Sequence, residues 1–268
     1  MATLEAELER ARALDTDALA DAVAEIGFEC TRCGACCKAV GSDGGGGVDA
    51  GPEGGTETNS DAGVEEHIAT VFPDEVRTLR AAGGYDWRDV ARPVPFGLDT
   101  GSSVEGETFE WALQTDCGDC TFYAEDGDGT GECTVHDARP LICRTYPFSV
   151  VLGSEASEGS SERSDGAPAG TSQPIGAAVE EVGDVRAHEC EGLGRDIARE
   201  EAEELAAALK ERAVRELEEA IAVRENYEPV DPGPGEVVVH DSEGAKHPDG
   251  TPFDEGASSS GRRHDRRR

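Results

Sequence analysis

The sequence is poor in lysine: Lys38, Lys210 and Lys246 are its three, and arginine supplies the rest of its 24 basic residues. Against them stand 58 acidic residues, for a formal charge of −34. Phosphate affinity comes mainly from cationic contacts, so this balance argues against nucleic acid as a partner. Aromatics make up 5% of the chain and methionine occurs once, so the apolar core is small for 268 residues. No apolar run approaches the ~18 residues of a membrane-spanning helix. The opening MATLEAELERARALD is charged and periodic, without the apolar stretch of a secretory signal. The expected location is therefore the cytoplasm, where persistent disulfides are uncommon and clustered cysteines act as thiolates. Signatures of phosphate loops, dinucleotide-binding turns and serine nucleophile elbows are also missing.

What remains is organised as one α+β chain, small and irregular. Leu4 and Leu8, then Leu19, Val23 and Ile26, recur at helical spacing, with Asp15 or Thr16 as an N-cap between two helices. Residues 41–63 and 153–174 are Gly-, Ser- and Glu-rich, too poor in apolar groups to offset ordering entropy, and read as disordered inserts. Pro73 and Asp74 suit a helix start and Gly83-Gly84 its end. GETFEWALQT alternates at Phe109, Trp111 and Leu113, a half-buried strand pattern, and PFSVVLG reads as a second short strand. A long helix spans about 196–226, with a stripe of Ile197, Leu205, Leu209, Val214, Leu217 and Ile221. The cysteine-bearing domain is thus expected over 1–228, followed by a disordered tail over 229–268.

Nine cysteines interrupt this acidic background. The stretch FECTRCGACCKAV places Cys30, Cys33, Cys36 and Cys37 within eight positions. Two intervening residues let successive thiolates turn onto one metal, and Gly34 allows a tight loop. Adjacent side chains point apart, so the Cys36-Cys37 doublet hints at two neighbouring centres. Cys117, Cys120, Cys133 and Cys143 form a second group whose spacing requires the chain to fold back. Metal binding leads, with reduced structural thiols or a redox dithiol as alternatives. Bound metal would also supplement the small core.

These residues resemble the YkgJ-type CxxCxxCC cysteine-cluster family, described as zinc- or iron-chelating domains. Beyond the Cys30–Cys37 signature, Cys120-Thr121-Phe122-Tyr123 is similar to the opening of a later family block. Cys133-Thr134-Val135-His136-Asp137-Ala138-Arg139-Pro140-Leu141-Ile142-Cys143-Arg144-Thr145-Tyr146-Pro147-Phe148 is similar to its remainder, and Cys190-Glu191-Gly192-Leu193-Gly194 to a last cysteine segment. The resemblance implies a metal-stabilised, cysteine-rich core with flanking helices. Its ligands would be Cys30, Cys33, Cys36, Cys37, Cys120, Cys133, Cys143 and Cys190, enough for two four-thiolate sites. Cys117 lies outside the pattern; it reads as an ordinary buried thiol, with substitution for one of the eight as the alternative.

Among the remaining residues, His136 has a supporting role, and Arg139 and Arg144 offset thiolate charge. Tyr146 and Phe148 are core aromatics, and Asp126-Gly127-Asp128-Gly129 is a turn. Zinc and iron both accept tetrahedral thiolates. The compact C-x2-C-x2-C run favours iron, as an iron–sulfur centre or a single ion, over zinc. Two other expectations stand beside the metal-binding protein. One is an enzyme, an iron–sulfur oxidoreductase or a protein-lysine methylase-like protein, as some relatives are; the other is a zinc-stabilised interaction module. No membrane partner is expected, and no protein partner is identifiable.

Acid excess with little lysine predicts a fold built for a salt-rich interior, because self-repulsion is relieved only by screening. Circular dichroism melts recorded from molar salt down to dilute buffer should show a falling Tm; unchanged stability on dilution removes the salt-adapted reading.

Overall fold

A computed structural model describes residues 3–41, 64–99, 103–152 and 177–253. Residues 42–63, 153–176 and everything beyond 253 lie outside the described residues, and with them the disorder expected there.

The chain starts with two helices, α1 (Leu4–Ala13) and α2 (Thr16–Ile26). Asp15 separates them as the sequence predicts, its carboxylate accepting from the backbone N–H groups of Asp17 and Ala18. Helix α3 (Pro73–Gly83) begins on a proline whose missing N–H costs nothing there and ends where Gly84 turns left-handed. A short α4 (Trp87–Val90) follows, then α5 (Leu141–Thr145) and the long α6 (Arg199–Asn226).

Two apolar clusters form. The first packs α1, α2 and α6 with Phe148, Val185 and Ala187 from two antiparallel strands, Phe148–Val150 and Val185–His188. Its α6 face is richer in alanine than the leucine stripe suggests: Ala202, Ala206, Ala208 and Ala213 are buried beside Leu209 and Leu217. Small side chains let α1 and α2 approach closely, while Leu205, Val214 and Ile221 sit at the margin. No buried member of this cluster is a cysteine. The helical half therefore buries its apolar surface without thiols, where the sequence reading has a cysteine-rich, metal-stabilised core.

The second cluster gathers α3, α4 and a three-stranded sheet of Thr70–Val71, Trp111–Leu113 and Ala91–Pro93 around Val76, Leu79, Trp87 and Trp111, and takes in Cys120, Phe122 and Val135. The expected single strand around Trp111 is two. Glu105–Thr108 belongs to another sheet, and Phe109, between them, is 45% exposed instead of half-buried in alternation.

The ordered chain also runs past 228, where the sequence reading starts its disordered tail. Val237–Asp241 pairs in parallel with Glu105–Thr108 and antiparallel with Gly244–Lys246. The flanking DPGPGE and SEG masked a short β-branched run, VVV, whose Val238 and Val239 are fully buried. Buried Asp241 fixes this sheet by accepting from Trp111 Nε1 at 2.8 Å and pairing with Lys246 at 2.8 Å. Among the described residues, no helix is long and apolar enough to cross a membrane.

Helix α5 joins the halves. On one side the carboxylate of Glu75, in α3, accepts from Leu141 N at 2.8 Å. On the other, Arg212 of α6 donates to Thr145 Oγ1 at 3.0 Å and to Phe148 O at 3.4 Å, and pairs with Glu216 at 2.8 Å. Arg212 and Glu216 are only 4% and 10% exposed, so removing one charge strands the other. Arg212→Met should lower unfolding free energy by about 3–5 kcal/mol in a denaturant titration, far beyond the cost of an exposed pair.

Candidate metal centre

Folding the two cysteine groups together depends on how the first loop docks. Gly34 adopts φ +74°, and a Cβ there would stand 2.3 Å from Tyr123 Oη, so the loop backbone presses against a tyrosine ring where only glycine fits. The Arg32 carbonyl accepts from Gly131 N at 2.7 Å, and Asp119 Oδ1 accepts from Ala39 N at 2.7 Å. Lys38 reaches Glu125 at 2.7 Å, and the same carboxylate accepts from the Tyr123 hydroxyl at 2.6 Å. These contacts seat a 3-10 turn, Ala35–Cys37, on the hairpin formed by Tyr123–Glu125 and Gly131–Cys133.

The Cys190 segment docks at the loop's other end. Phe28 and Leu193 form an antiparallel bridge, Glu29 N donates to Gly192 O at 3.0 Å, and Gly194 N donates to Gly27 O at 3.1 Å. A Cβ on Gly192 would lie 2.2 Å from Glu29 O, which explains the glycine two residues after this cysteine. Gly192 N also points at Cys190 Sγ, 3.5 Å away.

A cavity of about 440 Å³ results, lined by Cys30, Cys36, Cys37, Cys120, Cys133 and Cys143 together with His67, His136, Arg139 and Tyr146. All nine cysteines are free thiols. Of the eight expected ligands, Cys33 and Cys190 do not line the cavity. Cys190 nonetheless feels its neighbours: burial first, then Cys33, Cys36 and Cys30, raise its pKa. Among the described residues, no three His, Cys, Asp or Glu side chains converge as a ligand set for one metal ion.

The doublet differs from expectation. Cys36 and Cys37 do not splay: their sulfurs are 3.8 Å apart. Bonds of about 2.3 Å at tetrahedral angles would place two thiolates about that far apart, so one ion can take both. The premise for assigning them to different centres does not hold.

Four of the cavity thiols are pushed toward the protonated form. The contact with Cys37 and then burial raise Cys36, while burial raises Cys143, Cys133 and Cys120, the last to about 11. Arg139 acts the other way on Cys36 and Cys133, as expected of a group that offsets thiolate charge. Arg144 is exposed and lines a different surface. Tyr146 is half-buried at the cavity, its hydroxyl donating to Glu189 O at 2.6 Å, whereas Phe148 is a core residue packed edge-to-face on Phe28. Cys117 is exposed in the turn between Thr115–Asp116 and Asp119–Cys120 with φ +52°, so the buried-thiol expectation fails there. The Asp126 turn is confirmed, its carboxylate accepting from Asp128 N and Thr130 N.

His67 was missed. It is 3% exposed and lines the cavity. Its Nε2 lies 2.9 Å from the Cys36 carbonyl oxygen, and its Nδ1 is buried without a partner among the described residues. Burial pushes its pKa down, so the ring is neutral. An unpaired buried acceptor costs about 1–3 kcal/mol. The only sequence signal was a histidine just after a low-complexity insert, which no cysteine spacing marks.

One family model, described as "CxxCxxCC: Putative zinc- or iron-chelating domain", matches residues 29–169, just over half of the chain. The chain belongs to this family. The CxxCxxCC match spans seven of the eight expected cysteines and stops short of Cys190, whose place beside the loop rests on the Phe28–Leu193 pairing. No curated protein and no solved structure matches the chain. The chemistry at the cavity suits the metals in the family description: soft thiolates serve zinc and iron alike, and the orphaned His67 Nδ1 is a further donor without a partner.

Alkylation needs the thiolate. In metal-free protein, iodoacetamide should label exposed Cys30 and Cys117 first and Cys120 and Cys143 last. Mass spectrometry across a pH series should show Cys120 labelling accelerate only as pH rises toward about 11.

Proposed function

We propose that the chain is a metal-binding protein that holds iron, as an iron–sulfur centre, through cavity-lining thiolates drawn from Cys36, Cys37, Cys120, Cys133 and Cys143, with Cys30 at the exposed side. The observation that carries this reading is the lining of one cavity by six cysteines from separate segments of the chain. Structural zinc sites close four ligands tightly about one ion. A cavity of about 440 Å³ has room for a multi-atom centre. Cys33 and Cys190, the other two of the eight, do not line the cavity, although Cys190 feels the charge of Cys33, Cys36 and Cys30.

The protein's own groups prepare this site. Arg139 supplies positive charge where thiolates form, and burial keeps the thiols neutral until a metal displaces their protons. Glu75 holds the start of α5, and so the position of Cys143, through Leu141 N. An iron–sulfur centre bound here would add one-electron redox chemistry. Free thiols throughout fit a reducing cytoplasmic setting.

Elemental analysis and a visible spectrum of anaerobically purified protein test the proposal. Iron and sulfide with visible thiolate-to-iron absorption are expected. Zinc alone in a colourless protein would replace iron with zinc, and absence of bound metal would overturn the metal-binding reading. Cys36→Ser and Cys37→Ser should each deplete the same metal equivalent, as their 3.8 Å separation implies.

A further inference from the structure

We infer that His67 is a nitrogen donor to the metal of the cysteine cavity, binding through Nδ1. This inference rests on the metal-binding reading above and deepens it from an all-sulfur site to a mixed nitrogen–sulfur one.

The argument starts from hydrogen-bond roles. A carbonyl oxygen only accepts, so the 2.9 Å contact with Cys36 O assigns the ring hydrogen to Nε2 and the lone pair to Nδ1. That lone pair is buried, and among the described residues no donor reaches it, not even a thiol of the surrounding cysteines. Buried polar atoms are nearly always satisfied, and an exception calls for an unseen ion or water. Here the residue lines a cavity walled by thiols. Metal-binding imidazoles commonly donate their other N–H to a backbone carbonyl, which fixes tautomer and ring orientation. His67 has that arrangement, and the carbonyl belongs to one of the cysteines.

The fold also holds the residue in place. His67 N donates to Gly118 O at 2.9 Å, and its carbonyl accepts from Arg92 Nη2 at 3.0 Å. The imidazole thus sits on a fixed stretch of backbone ahead of the strand Thr70–Val71. A histidine held only to fill space would be matched by an apolar residue without an orphaned nitrogen. A neutral nitrogen donor also lowers the negative charge of a thiolate set, and nitrogen ligation raises the potential of iron–sulfur centres.

The experiment uses the iron-loaded full chain, with histidine uniformly labelled with nitrogen-15, studied by pulsed electron paramagnetic resonance and X-ray absorption. Wild-type protein should show hyperfine coupling to a histidine nitrogen and a light-atom shell beside the sulfur shell. His67→Ala should lose both while Cys117→Ser retains them, and the centre's potential should fall in His67→Ala. An all-sulfur shell without nitrogen coupling in metal-loaded wild type would overturn the inference and leave the metal-binding reading intact. The wild-type measurement decides even if His67→Ala does not fold. Wild type that takes up no metal would overturn both.

Discussion

The close seat of Gly34 on the ring of Tyr123 is the constraint on which the site depends. The chain must bring a loop near its start against a hairpin far along the sequence, and the closure entropy of so long a separation favours neither half. Offsetting it are several directional contacts that act together: a glycine without a Cβ, the Arg32 carbonyl on Gly131, and the carboxylates of Asp119 and Glu125 on the loop's far end. A side chain at this position would collide with the Tyr123 ring, so ring or loop must shift where Cys36 and Cys37 meet the hairpin. The spacing of the cysteines matters only because this docking exists.

The fold divides its labour. The helical half packs alanine against alanine and leucine and contains no thiol among its buried residues, so its burial is independent of metal. The second half surrounds Trp87 and Trp111 with short strands and places three cysteines at its edge. Short strands build that half, and a metal bound among its cysteines would add folding free energy directly. The protonated thiols in the absence of metal follow from the same burial, since grouping several thiolates in a low-dielectric cavity is costly without a cation.

Sequence periodicity revealed the elements whose signals are local. Asp15 as a cap, Pro73 and Gly84 as the bounds of α3, and Phe148 as the start of a strand all depend on neighbours a few residues away. The cysteine spacings made the family legible as well. What stayed hidden depends on distant partners. The strand Val237–Asp241 exists because Glu105–Thr108 offers it an edge and Trp111 offers Asp241 a donor. The doublet was misjudged because the 3-10 turn, rather than the intrinsic splay of adjacent side chains, sets the sulfur separation. His67 left no mark because a single histidine acquires meaning only from what surrounds it.

Helix α5 is five residues long, too short to persist alone, and is gripped at its start by a carboxylate from one cluster and near its end by a guanidinium from the other. It is one of several ties between the two cores, beside the Arg215–Asp74 ion pair and the hydrogen bond from Ser242 N to Glu219. Cys143, in the middle of this helix, is therefore held in position from both sides by groups that belong to different cores.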